Sequence, residues 1–109
     1  MTSNSNTPET LCAQAMGWID ETTKAIVQPI HLSTTYLRDE DNEYRSGRSY
    51  AREDNPTWDQ AEALTTRLEN GAATLLFSAG MAAATAPFLA LRPGDHVVVP
   101  EVMYWGLRK

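Results

Sequence analysis

Thr74-Leu75-Leu76-Phe77-Ser78-Ala79-Gly80-Met81-Ala82-Ala83 is the stretch on which the reading of this chain turns. A short, fully apolar run, Thr74–Phe77, passes through small residues into an alanine-rich segment that favours helix from Gly80 to Leu91. Pro87 must bend that helix or lie where its missing amide does no harm. Next comes Arg92-Pro93-Gly94-Asp95, a turn with proline at its second position and glycine at its third. His96-Val97-Val98-Val99-Pro100 then reads as a second buried strand. Strand, helix, strand with short connections is a βαβ unit with a parallel pair. Apolar strands on both faces demand cover on both sides, which two strands cannot provide. The expectation is therefore an α/β fold, of which this chain is the leading part, ending inside a further helix at Lys109.

Upstream, Asn55-Pro56-Thr57 opens a second helix. Thr57 followed by Gln60 fits a capping box, Trp58, Ala61, Leu64 and Leu68 recur at helical spacing, and Gly71 supplies a stop. Residues 25–57 show no sustained period. Ala25–Ile30 and Thr34–Tyr36 read as extended, with Pro29 disfavouring helix at Gln28. The charged segment 38–49 reads as structureless, and a stretch like that is either mobile or an arm packed on something else. Leu11, Ala15 and Trp18 suggest one short amphipathic helix, and residues 1–10 read as disordered. The division that follows is an N-terminal segment and arm over 1–57 and the start of a larger domain over 58–109.

The 109 residues carry 14 acidic and nine basic side chains, a net charge of −5. That balance argues against a nucleic-acid partner or an anionic membrane surface, both of which need clustered Lys and Arg. The single cysteine, Cys12, cannot form an internal disulfide, and no Cys/His cluster suits a metal, so a cytoplasmic protein is expected. Met1–Thr10 lacks the basic and apolar regions of a signal peptide. Gly71–Leu91 is uncharged, but alanines, glycines, Thr74, Ser78, Thr85 and Pro87 leave too few lipophilic residues for a membrane span.

Three places could carry chemistry. At Ser78–Met81 the amides that begin a helix, with no Cβ at Gly80, form a seat for an anion. The same small residues could merely permit a tight strand-to-helix turn. No Walker or G-x-G-x-x-G pattern accompanies them, which argues against a nucleotide. Tyr50 and Arg52, two apart in an extended segment, would leave the same face and could clamp phosphate oxygens; alternatively, Arg52 pairs with Glu53, Asp54 or Asp59. Tyr104, just beyond the second strand, falls at the strand ends where ligands gather in parallel sheets, and could stack on a planar group or be an ordinary core aromatic. His96 beside three valines reads as structural, the acids at 39–43 as a solvated face, and Cys12 has no base beside it.

Together these features carry a resemblance. Tyr50-x-Arg52-x-x-Asn55-Pro56-Thr57, Ser78-Ala79-Gly80-Met81-Ala82-Ala83 and Tyr104-Trp105-Gly106 follow in the order and spacing seen in the Cys/Met metabolism (transsulfuration) family of pyridoxal-phosphate enzymes. Pro29–Tyr36 looks like that family's N-terminal arm. The resemblance implies a fold-type-I enzyme with pyridoxal 5'-phosphate as cofactor, a sulfur amino acid as substrate, and a homodimeric or homotetrameric assembly. It implies that Gly80 and Met81 donate amides to the cofactor phosphate, that Tyr50 and Arg52 reach the same phosphate from a neighbouring subunit, and that Tyr104 stacks on the pyridine ring and assists proton transfer. The implied reaction is γ-replacement, cysteine displacing the acyl group of an O-acylated homoserine, with β- or γ-elimination as the alternative. Two departures stand out: Trp105-Gly106 where the family commonly has Gly-Gly, and Ala79 in place of a frequent serine. Neither Lys24 nor Lys109 matches the family's cofactor-bonding lysine, so the chain as it stands is expected to be inactive. A non-catalytic interaction piece is the competing expectation.

Overall fold

The computed structural model describes residues 7–108. They form two compact units, one running to Thr74 and the other beginning at Leu75.

In the first unit, α1 spans Pro8–Ala13, with Thr7 as its N-cap accepting from the Thr10 amide at 3.4 Å. Proline at the first position suits a helix start. The expected single helix over Leu11–Trp18 is corrected: α1 begins earlier and stops at Ala13, because Ala15, Met16 and Gly17 take φ of +46°, +58° and +79° in a short 3₁₀ turn. Of the segment read as disordered, Thr7–Thr10 is thus the start of α1, and residues 1–6 lie outside the described residues.

α2 spans Pro56–Leu68, and its start differs from the expected capping box. Asn55 is the cap, its Oδ1 accepting from the Thr57 amide at 2.9 Å, and Pro56 is the first helical residue. Asn at the cap with Pro behind it satisfies one orphan amide and omits another, so Thr57 and Gln60 are released for other partners. The Thr57 hydroxyl accepts from the His31 amide at 2.9 Å, and Gln60 Nε2 donates to the Ala15 carbonyl at 3.0 Å. At the far end Asn70, not Gly71, adopts the left-handed conformation with φ +50°, and the Gly71 amide donates to the Thr66 carbonyl at 3.0 Å. This is the six-to-one bond of a Schellman stop, moved one residue upstream of expectation.

The segment before α2 is tied to the start of that helix. Asn55 Nδ2 donates to the His31 carbonyl at 3.1 Å, and Gln28 Nε2 donates to the Pro56 carbonyl. Asn55 is 6% exposed and is the one buried residue among those described. Residues 38–49, expected to be structureless, are instead two hydrogen-bonded turns. Asp39 N–H donates to the Glu43 carbonyl at 2.9 Å, Gly47 N–H to the Tyr44 carbonyl at 2.9 Å, and Asn42 and Gly47 supply positive φ. Asp41 pairs with Arg45, which holds its carboxyl below the usual range. These turns fold the chain back so that Thr35 and Tyr50 form an antiparallel bridge, with the Ala51 amide on the Thr34 carbonyl at 2.9 Å.

In the second unit, α3 spans Gly80–Leu89, slightly shorter than expected, with Pro87 inside its last turn, where its missing amide leaves the Ala83 carbonyl without the usual i+4 donor. Arg92–Asp95 is the anticipated turn: Gly94 has φ +97° and the Asp95 amide donates to the Arg92 carbonyl at 3.0 Å. α4 covers Trp105–Arg108. The expected strands at Thr74–Phe77 and His96–Pro100 are corrected: no ladder forms among the described residues, and both stretches remain without regular structure. A crossover connection sets the relative direction of two strands but does not make them neighbours, and an isolated parallel pair leaves both apolar faces in water. Leu75 is 72% and Val98 87% exposed accordingly. No apolar side chain among the described residues is fully buried. None of the described helices is long and apolar enough to cross a membrane, and no described cluster of His, Cys, Asp or Glu could hold a metal ion.

Candidate functional site

Within the second unit, Ala79, Gly80, Met81 and Ala84 from α3 and Tyr104 and Leu107 from the α4 end line one cavity of about 520 Å³. Ala79 caps α3 with extended backbone, φ −148° and ψ 142°, and no side chain bonds the helix start. The first intrahelical bond runs from the Ala83 amide to the Ala79 carbonyl at 3.1 Å. The amides of Gly80, Met81 and Ala82 are therefore left without intrahelical acceptors, at the positive end of the helix dipole. A Cβ placed on Gly80 would meet nothing within 4 Å, so the helix start is uncrowded at that position.

Tyr104 forms the opposite wall, and glycine next door decides how it sits. A Cβ on Gly106 would come within 2.7 Å of Tyr104 Cε1, so only glycine lets the ring lie where it does. The Tyr104 and Trp105 rings are 6.1 Å apart and tilted by 48°, which leaves Tyr104 rather than Trp105 on the cavity. The sequence placed Gly80, Met81 and Tyr104 at one end of a sheet. The structure brings them to one cavity without the ladder.

In the first unit, Tyr50 and Arg52 lie together. Arg52 Nη2 donates to the Tyr50 hydroxyl at 3.3 Å, and the guanidinium carbon stands 5.2 Å from the centre of the Tyr50 ring. The route to this contact differs from the expected extended segment. Residues 51–53 form a turn, with the Glu53 and Asp54 amides on the Tyr50 carbonyl at 3.1 and 3.2 Å. The alternative pairing of Arg52 with nearby acids is not the one observed. Asp54 and Asp59 are both taken by Arg48, whose Nη1 bonds Asp54 Oδ1 and whose Nη2 bonds Asp59 Oδ2. Among the described residues no carboxylate pairs with Arg52.

Arg48, Ala84 and Leu107 were not singled out by the sequence reading. Ala84 lies four residues after Gly80 and Leu107 three after Tyr104, so helical spacing alone could have found them. Arg48 offered no such signal, because its partners lie six and 11 positions away.

The residues present fit a phosphorylated planar group. The open amides suit the charged end, an aromatic wall suits a flat ring, and the volume lies within the roughly 300–1,000 Å³ of small-molecule sites. Over residues 9–109 the chain matches the model of the Cys/Met metabolism PLP-dependent enzymes. It belongs to that family. Membership brings the fold-type-I architecture and pyridoxal 5'-phosphate as the cofactor. The chain is similar to the cystathionine gamma-synthase of Mycobacterium tuberculosis, 44% identical over 88 residues that cover 80% of this chain and 23% of that relative. The cystathionine gamma-lyase of Bacillus subtilis is 42% identical over 87 residues, covering 80% and 23%. The cystathionine beta-lyase of Coxiella burnetii is 37% identical over 87 residues, covering 80% and 22%. This family member thus spans about a quarter of the length of the curated relatives it matches. Synthases and lyases match it at similar identity, so the comparisons do not choose between them.

Proposed function

We propose that this chain is the N-terminal part of a transsulfuration enzyme, a cystathionine γ-synthase that replaces the acyl group of an O-acylhomoserine with cysteine in methionine biosynthesis. The observation that carries the reading is the cavity shared by Gly80, Met81 and Tyr104. Bound pyridoxal phosphate supplies an electron sink that stabilises negative charge next to the amino-acid nitrogen. Gly80 and Met81 hold the phosphate through their amides, and Tyr104 covers the ring face, its hydroxyl available to move a proton there. Tyr50 and Arg52 complete the phosphate site of a sister subunit. That role is supported by a guanidinium free of carboxylates and held against a phenol.

In this reading residues 1–57 form an inter-subunit arm, and residues 58–109 begin the cofactor domain of an α/β fold. Ile26, Val27, Ile30, Leu32 and Leu37 are each at least 75% exposed, a series of apolar side chains that suits contact with another polypeptide in a homodimer or homotetramer. Strands at Thr74–Phe77 and His96–Pro100 belong to the sheet of the complete domain. The cofactor-bonding lysine lies outside this chain, which by itself is inactive. An exposed, unpaired Cys12 accords with a cytoplasmic setting. A cystathionine lyase is the second reading, supported by 42% identity to the Bacillus subtilis gamma-lyase.

Assaying the complete enzyme with O-succinylhomoserine plus cysteine, and separately with cystathionine, tests the assignment. Cystathionine formation is expected, whereas release from cystathionine of 2-oxobutanoate (γ-elimination) or pyruvate (β-elimination), without synthase activity, would replace the first reading by the second. Arg52→Ala is expected to weaken pyridoxal phosphate binding by about 1.5–3 kcal/mol, the range for hydrogen bonds to charged groups. Unchanged affinity on titration removes Arg52 from the site.

A further inference from the structure

The segment 48–59 holds two arginines, Arg48 and Arg52, and three acids, Glu53, Asp54 and Asp59. Charge counting alone would let Arg52 be neutralised by its sequence neighbours, and a neutralised guanidinium makes a poor phosphate ligand. The observed pairing avoids this. Each terminal nitrogen of Arg48 takes a different carboxylate, Asp54 just before the α2 cap and Asp59 in the first turn of α2. The Arg48 side chain is 26% exposed, less than the 39% and 42% of its partners, so the fork is the better shielded side of the cluster. The hydrogen bond to Asp59 outweighs burial and holds the guanidinium above its ordinary pKa. A planar fork can hold two acids at once, which a single ammonium does poorly.

We propose that Arg48 is a positioning residue that sequesters Asp54 and Asp59 and so keeps Arg52, beside Tyr50, open to a dianionic phosphate. This rests on the assignment of Tyr50 and Arg52 to the cofactor phosphate. With Arg48 present, one guanidinium holds both aspartates and neither is bonded to Arg52. Without Arg48, two carboxylates lose their partner in the short segment that carries Arg52, where their charge competes for it and repels a dianion.

Equilibrium titration of the cofactor-resolved complete enzyme with pyridoxal 5'-phosphate, and in parallel with pyridoxal, which lacks the phosphate, tests the proposal. Arg48→Ala is expected to weaken pyridoxal phosphate binding by about tenfold, the order for one unbalanced charge near a dianion, while leaving pyridoxal unaffected. Combining Arg48→Ala with Asp54→Asn and Asp59→Asn is expected to restore affinity to within about twofold of wild type, since the competing charges are gone. A merely structural role would not be rescued by neutralising the acids. No loss in Arg48→Ala, an equal loss for pyridoxal, or a loss that persists in the triple variant overturns the inference. If Arg48→Ala does not fold, Arg48→Lys carries the test: a partial loss, reversed by adding Asp54→Asn, is expected, and no loss or an unreversed loss refutes it. Arg52→Ala separates the two readings. If it leaves pyridoxal phosphate affinity unchanged, the phosphate assignment fails; if it weakens binding while Arg48→Ala does not, only the role of Arg48 fails.

Discussion

Asn55→Ala tests the junction that sets the loop carrying Tyr50 and Arg52 against α2. The side chain is 6% exposed and makes two bonds of opposite sense, Oδ1 accepting from the Thr57 amide at 2.9 Å and Nδ2 donating to the His31 carbonyl at 3.1 Å. Losing the helix cap costs about 1 kcal/mol. Losing the bond to His31 costs about 1 kcal/mol more, since little water can replace it. The sum, ~2 kcal/mol, corresponds to an opening equilibrium about 30-fold more favourable. Amide hydrogen exchange of the complete enzyme, read at the Thr57 amide and over the first turn of α2, measures it. Asn55→Asp keeps the cap acceptor but sets a carboxylate oxygen against the His31 carbonyl, so an acceleration of at least about fivefold is expected there. Less than about threefold acceleration in Asn55→Ala would show that this junction does not hold the segment before α2.

Two further outcomes bear on the cavity. Gly80→Pro places proline at the first position of α3, after an Ala79 whose ψ of 142° suits it, so the helix is expected to survive while one anion-facing amide disappears. Pyridoxal phosphate titration should then show a loss of about tenfold or more, with helicity by circular dichroism unchanged. Gly106→Ala puts a Cβ 2.7 Å from Tyr104 Cε1 and displaces the ring, at about 0.5–1.5 kcal/mol for an off-rotamer side chain. A loss of about two- to tenfold in cofactor affinity, with a shifted absorption band of the bound cofactor, is the expected reading, and an unchanged band would mean that Tyr104 does not face the ring.

Much of the candidate site was legible because its signals are local. The opening of α3 at Gly80, the Arg92–Asp95 turn and the adjacency of Tyr50 and Arg52 involve residues a few positions apart, where backbone geometry and side-chain type decide the outcome. Even so, the α2 cap was misread by two residues, since Asn55 and Thr57 both satisfy the local rule and Pro56 selects between them. The two stretches read as strands form no ladder among the described residues. Apolar runs at Thr74–Phe77 and His96–Pro100 have strand character, but a ladder requires partners that local preference cannot supply.

Primary structure alone therefore determined the start of α3, the Arg92–Asp95 turn and the family's three motifs in order, because each depends on hydrogen bonds and torsions spanning a few residues. Only the folded chain decided that Arg48 takes Asp54 and Asp59, that Asn55 captures His31, and that Tyr104 faces Gly80 across one cavity. Those outcomes join groups from six to 24 positions apart, and competition among several possible partners is resolved by burial and geometry, which no spacing rule contains.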